Sequence, residues 1–230
     1  MQSVDTPLED LRERIARATR DAGRQPDSVR LVAVSKTRTA DDIRRVARAG
    51  VRDVGENYVT EALPKIAALT DCDLTWHFIG AIQSNKTRDI AMHFDWVHTV
   101  DREKVARRLS DQRPAALHPL DVLIQVNIDR EPQKAGVPEE RLAELARYVA
   151  SLPRLRLRGL MGLPRESAAA EERRAAFHRL AQLFSSCRPA SAADWDSLSM
   201  GMSADFEIAI SEGATLIRLG TALFGPRTNG

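Results

Sequence analysis

Eight short apolar segments recur along the chain at intervals of roughly 19 to 41 residues, and a helix-like stretch fills each interval. The segments begin at Leu31 (LVAVSK), Val51 (VRDVGEN), Leu74 (LTWHFIG), Trp96 (WVHTV), Asp121 (DVLIQVNI), Leu155 (LRLRGLM), Asp196 (DSLSM) and Thr215 (TLIRLG). Helical stretches run from about Ala40 to Ala49, Val59 to Leu69, Lys86 to His93, Arg102 to Ser110, Pro138 to Ser151, Ala168 to Ser186 and Ala204 to Ser211. Strands joined by helices run parallel, because a tight turn returns only an antiparallel partner. Several segments are apolar throughout, as when both faces of a sheet are covered. Another helix opens the chain, from about Pro7 to Ala22. Leu8, Leu11, Ile15 and Ala18 share its apolar face, and Arg12, Arg14, Arg17 and Arg20 form a solvated one. Eight units predict an α/β fold, a closed (β/α)8 barrel of TIM type with an extra N-terminal helix. The open doubly wound alternative lacks a G-x-G-x-x-G after the first strand. No linker divides the chain, so residues 1–230 read as a single domain.

Composition narrows the partners. Hydrophobic residues make up 43% of 230, enough for a sizeable core. Lys and Arg number 34 against 32 Asp and Glu, and a net charge of +2 leaves no footprint for nucleic acid or an anionic membrane. No apolar run reaches the roughly 18 residues of a membrane helix. The charged N-terminus lacks a signal core, and Cys72 and Cys187 sit in no metal or disulfide pattern. The expectation is a cytoplasmic protein with two reduced thiols and no metal.

Function in such a barrel lies at the C-terminal strand ends. Lys36, Asn57, His77, Gly80, Asn127, Met161, Ser199 and Arg218 fall there. Lys36 directly follows an apolar strand and shares a face with Val32 and Val34. If that face is the interior, burial favours the neutral amine that Schiff-base chemistry requires. The bland alternative is a lysine whose stem packs while its head reaches water. SLSMGMSADFEIAI reads as strand, tight turn and helix, with Gly201 at the turn and Ser203 at the helix start. RLGTALFG adds Gly220 and Thr221 after the last strand. Turns of this kind bind phosphate, although Asp205 and Glu207 would repel an anion unless they point away. In a closed barrel the last strand lies beside the first. A phosphate on the final loops would then present the ligand's other end to Lys36. That implies an aldehyde with a phosphate handle, and pyridoxal 5′-phosphate is the commonest such cofactor.

The chain resembles the pyridoxal phosphate homeostasis proteins, which are related to the N-terminal barrel of alanine racemases. The matching stretches are LVAVSKT, GENYV, WHFIGAIQSNK, FDWVHTVDR, VLIQVNI, QKAGV, RLRGLMGLP, SLSMGMSADFEIAI and IRLGTALFG, in order from Leu31 to Gly225. WHFIG-x-x-QSNK is the most specific. The resemblance implies that Lys36 carries pyridoxal 5′-phosphate as a Schiff base. It implies that Ser199, Met202, Ser203, Gly220 and Thr221 hold the phosphate. Arg218 would face the pyridine nitrogen, and Asn57 would lie near the ring. A guanidinium there opposes protonation of the nitrogen, and an unprotonated ring is a weak electron sink.

Two readings follow. The first is a binding protein for intracellular pyridoxal phosphate (vitamin B6) and amino-acid homeostasis, with little or no catalysis. Its partners would be the cofactor, amino acids and transient apo-enzyme acceptors, and it would be a monomer. The alternative is a single-domain amino-acid racemase. Racemisation needs a second acid/base; alanine racemases take it as a tyrosine from a further domain, which is not expected after Gly230. Of Tyr58 and Tyr148, only Tyr58 falls near the ring. A sugar-phosphate enzyme using Lys36 is a third, more distant possibility. His77 points opposite Trp76 and Phe78 and reads as structural. Gln83, Ser84, Asn85 and Lys86 form a polar turn, either at the mouth of the site or against a partner. Arg154, Arg156 and Arg158 alternate with Leu155 and Leu157. If the leucines face the helices, arginine points inward, which the sequence does not explain.

Overall fold

The computed structural model describes residues 5–130, 135–165 and 167–225. Gln133 and Lys134 of the QKAGV stretch lie outside the described residues. The strands are β1 (Arg30–Val34), β2 (Asp53–Glu56), β3 (Thr75–Phe78), β4 (Trp96–Val100), β5 (Leu120–Val126), β6 (Leu155–Gly162), β7 (Ser197–Ser199) and β8 (Leu216–Leu219). The helices are α1 (Asp5–Asp21), α2 (Ala40–Arg48), α3 (Val59–Ala68), α4 (Thr87–His93), α5 (Glu103–Gln112), α6 (Glu139–Ala150), α7 (Ala170–Ser186), α8 (Phe206–Ser211) and α9 (Thr221–Phe224), with a 3₁₀ turn at Ser84–Lys86. Each strand begins within two residues of its expected start. The 3₁₀ turn and α9 are too short to show an apolar period.

The strands pair in chain order, all parallel, and close into a (β/α)8 barrel. Closure joins β8 to β1 in a register running from Arg30 opposite Leu216 to Ala33 opposite Leu219. Outward-facing Ala33, Val54, Phe78, Val97, Ile124, Leu160 and Ile217 pack under the helices, where each fully buried aliphatic side chain contributes about 1.5–3 kcal/mol. The opposite faces supply a separate, smaller apolar cluster: Val32, Trp96, Leu123, Met161 and Leu216.

The additional helix α1 buries Leu8 and Leu11 and packs against α8 and α9. Arg12, Arg17 and Arg20 are exposed, as expected. Arg14 departs from that pattern. Its guanidinium bonds Glu207 at 2.5 Å and lies 4.7 Å over the Phe206 ring, docking α1 on α8. No helix among the described residues is long and apolar enough to cross a membrane.

The inward arginines of β6 have a physical reason. Leu155 and Leu157 do face the helices. Arg156 bonds Asp121, its neighbour on β5 at the N-terminal end of the barrel, at 2.5 and 2.8 Å. Arg158 bonds Asp196 at 2.6 Å and Asp121 at 3.3 Å. Arg30 pairs with Asp53. The guanidiniums of Arg30 and Arg158 lie 5.4 and 4.8 Å from the Trp96 ring centroid. Each wide cation thus finds a carboxylate, an aromatic face or both, and together they close the barrel floor. Replacing Asp121 by Leu leaves Arg156 and part of Arg158 without a counter-charge. With Arg156 half-exposed and Arg158 still paired with Asp196, the expected loss is about 1 kcal/mol, seen as a lower urea midpoint at unchanged slope. An unchanged midpoint would show that the floor contributes nothing to stability.

Candidate functional site

Three elements aim Lys36. β1 ends at Val34, and the next three residues turn toward α2, whose start is fixed by reciprocal bonds between Thr39 and Asp42. The Ser35 carbonyl accepts from Lys65 Nζ at 2.8 Å. On the other side of Lys36, the Thr37 amide donates to Glu61. Thr37 has a φ of +65°, a left-handed value that a β-branched residue rarely adopts. Such strain costs on the order of 1–3 kcal/mol, and an amide bond to a carboxylate offsets about that much. Lys65 also bonds Glu56 at 2.7 Å and Glu61 at 2.8 Å, and Ser35 Oγ donates to Glu56 at 2.5 Å. Burial pushes the Glu56 carboxyl above its ordinary range, and Lys65 and Ser35 offset this only in part. Both peptide groups beside Lys36 are therefore held by one buried cluster. Lys36 itself is half-buried on the rim rather than sealed inside the barrel.

Closure places the final turns beside it. A Cβ built on Gly220 would lie 3.3 Å from the Val34 carbonyl oxygen, so the backbone of Gly220 runs against the end of β1. Gly201 turns the chain at a φ of +91°. Ser203 Oγ accepts from the Ala222 amide at 3.3 Å and ties the two turns together. Among the described residues, the amides of Ser203, Ala204, Gly220 and Thr221 meet no acceptor. Two site expectations change here. Ser203 does not open the helix, which begins at Phe206. The Met202 amide is not open to a ligand, because it donates to Asp205 at 2.7 Å. Of the acidic pair that would repel an anion, Glu207 is held by Arg14, while Asp205 stays at the turn, buried, bonding the Met202 amide with Arg173 3.9 Å away.

On the β2–β3 side, Asn57 Oδ1 is buried without a hydrogen-bond partner. Gly80 lies so close to the Asn57 carbonyl that a Cβ there would overlap it. Asn57, Tyr58, Gly80, Gln83 and Lys86 line a cavity of about 250 Å³ whose lining includes neither Lys36 nor the Gly201 and Gly220 turns. Tyr58 is 64% exposed. A larger cavity of about 560 Å³ opens at the opposite end, under α1, and touches none of these residues.

Inside the barrel, Arg218 NH1 donates to Ser199 Oγ at 2.5 Å and NH2 to the Gly162 carbonyl at 3.2 Å. Burial lowers the Arg218 pKa to about 10, which leaves it charged at neutral pH. Ser199 Oγ lies 2.9 Å from His98 Nδ1, His98 Nε2 lies 2.9 Å from His77 Nδ1, and His77 Nε2 lies 2.8 Å from Asp53. Ser199 is fully buried, so its hydroxyl is engaged with Arg218 and His98 rather than lying open on the phosphate turns. Sequence reasoning missed His98, Asp53, Glu56, Glu61 and Lys65. Only His98 left a signal, since it alternates with inward Trp96 in WVHTV.

A sequence model of the alanine racemase N-terminal domain matches residues 7–228. A pyridoxal phosphate homeostasis protein of Pseudomonas aeruginosa is 52% identical over 230 residues, covering 100% of this chain and 98% of that protein. The protein of the same name from Escherichia coli K12 is 46% identical over 237 residues, covering 99% and 98%. Among solved structures, PipY of Synechococcus elongatus PCC7942 with PLP bound has a TM-score of 0.82 at 37% identity, over 96% of this chain and 100% of that one.

The buried histidines set an acid limit. Burial lowers the pKa of His77, against the pull of Asp53, and takes His98 well below the ordinary value. Below about pH 6.5 the unfolded chain binds protons at both positions and the folded chain does not. Stability therefore falls as pH drops through that value, by up to about 1.4 kcal/mol per pH unit for each imidazole. The loss continues until the folded values are reached. Urea midpoints at several pH values measure the slope, which His98→Gln should roughly halve. A flat profile between about pH 8 and 5 would contradict buried neutral histidines.

Proposed function

The chain belongs to the alanine racemase N-terminal domain family and to the pyridoxal phosphate homeostasis proteins, and on that premise we propose that it carries pyridoxal 5′-phosphate on Lys36 and serves cofactor and amino-acid homeostasis. The observation that carries this reading is the pairing of β8 with β1, which sets the lysine beside turns with open amide donors. The donor set suits the cofactor. The amides of Ser203, Ala204, Gly220 and Thr221, with the hydroxyls of Ser203 and Thr221, would hold a phosphate. Asn57 Oδ1, buried and unpartnered, would meet a donor at the ring. When bound, the cofactor supplies an aldehyde that condenses with a neutral amine and a pyridine ring that draws electrons.

The chain's own residues define the rest. Lys65, Glu61 and Glu56 hold the turn from which the Lys36 amine reaches the site. Arg218 keeps a positive charge and opposes a proton on a facing ring nitrogen. That arrangement suits carriage over carbanion chemistry. Half-burial of Lys36 leaves its amine open to an incoming one, from an amino acid or an acceptor apo-enzyme.

Purified protein should absorb in the visible. After borohydride reduction it should gain the mass of the reduced cofactor on the peptide containing Lys36, and Lys36→Ala should lose that adduct. A colourless protein with no cofactor mass would refute the reading. Lys65→Met should leave Glu56 buried without its cation. It should lower stability by about 2–4 kcal/mol and reduce the reducible adduct at subsaturating cofactor. Full adduct formation at that concentration would show that the clamp does not matter to Lys36.

A further inference from the structure

Four hydrogen bonds join Asp53, His77, His98, Ser199 and Arg218 across the barrel interior. They permit one direction only. Arg218 has donors and no acceptor. Burial pushes the Asp53 carboxyl up, but His77 and Arg30 outweigh it and keep the group below its usual range, so it only accepts. Every group between these ends is then fixed. Ser199 accepts from Arg218 and donates to His98 Nδ1. His98 Nε2–H donates to His77 Nδ1, and His77 Nε2–H donates to Asp53. With both imidazoles neutral, any other order sets two N–H groups or two lone pairs against each other. His77, His98 and Ser199 are 0% exposed, so bulk water is excluded from the series. His77 also stacks on Trp96, with ring centroids 5.5 Å apart at 16°, which resists ring rotation. The other charged groups acting on the two imidazoles are Arg30 and Asp95, with Arg218 beyond Ser199.

We propose that His98, His77 and Asp53 are positioning residues for the cofactor seat. Acting through Ser199, they fix the Arg218 guanidinium and thereby set the electronic state of the bound ring. The inference rests on the carrier reading above. Without Ser199, the Gly162 carbonyl is the one hydrogen-bond acceptor left to Arg218 among the described residues. Protonating either imidazole turns the Ser199–His98 bond round, leaves the Ser199 proton without its acceptor and adds a positive charge to the row that ends at Arg218.

Nitrogen-resolved imidazole NMR on the cofactor-free wild type tests the order directly. Both histidines should be neutral with the proton on Nε2, unchanged from about pH 8 to 5.5. An Nδ1–H tautomer or an imidazolium at either position overturns it. With pyridoxal 5′-phosphate added, Ser199→Ala and His98→Phe should each weaken binding about tenfold, the scale of one hydrogen bond to a charged group. Each should also move the pH midpoint of the visible band. Neither should add to the effect of Arg218→Leu. His98→Gln, which keeps one donor and one acceptor, should restore binding to within about threefold of wild type. If His98→Phe does not fold, Ser199→Ala and the NMR still decide. Unmoved midpoints, or losses that add fully in the Arg218→Leu background, overturn the proposal. Failure of the wild type to take up the cofactor overturns the carrier reading; uptake with unaltered variants overturns the spine alone.

Discussion

Lys36 and Gly220 follow the first and last strands, and the parallel pairing of β8 with β1 makes the two strand ends neighbours. In an open sheet the two strands would be opposite edges, with the amine and the anion turns on different sides of the molecule. Closure removes both edges and brings the Gly220 backbone against Val34. The remaining site features refine that juxtaposition. The tie between Ser203 and Ala222 joins the two turns, and the Glu56–Lys65–Glu61 cluster orients the lysine.

The interior that supports this rim is unusual for a small barrel. Layers of branched aliphatic side chains commonly fill such a space. Here five apolar residues share it with an ionic floor and a row of hydrogen-bonded polar groups. Buried charge seldom adds net stability, but a fully satisfied network admits few alternative packings. Asp53 belongs to both parts, since it pairs with Arg30 below and takes the His77 N–H. The geometry at Arg218 is thereby connected to the opposite end of the barrel.

The sequence made the rhythm of strands and helices legible because covered strands are apolar on both faces, and that pattern is local. Lys36 was legible for the same reason, as a charge placed directly behind such a strand. The turns at Gly201 and Gly220 announced themselves by backbone chemistry, but the engagement of the Met202 amide and the Ser199 hydroxyl did not. Those depend on Asp205 and His98, whose contacts no single strand reveals. His98 and Ser199 are 101 positions apart. Lys65 misleads in another way. Its spacing from Glu61 reads as an ordinary surface pair on a helix, yet it is buried and its third partner is Glu56 on β2. Inward arginine on β6 was visible as a pattern but had no meaning until Asp121, Asp196 and Trp96 were assembled around it.

The order of strands around the ring also bears on how the molecule is made. A ribosome adding about 5–20 residues per second leaves β1 without β8 for on the order of 10–40 s. During that interval both exposed borders of the growing sheet are templates for intermolecular pairing. The nascent chain already contains Lys36 and its clamp, while the turns at Gly201 and Gly220 and the Arg218 guanidinium emerge last. On the proposed carriage of the cofactor, capture would be deferred until the ring shuts.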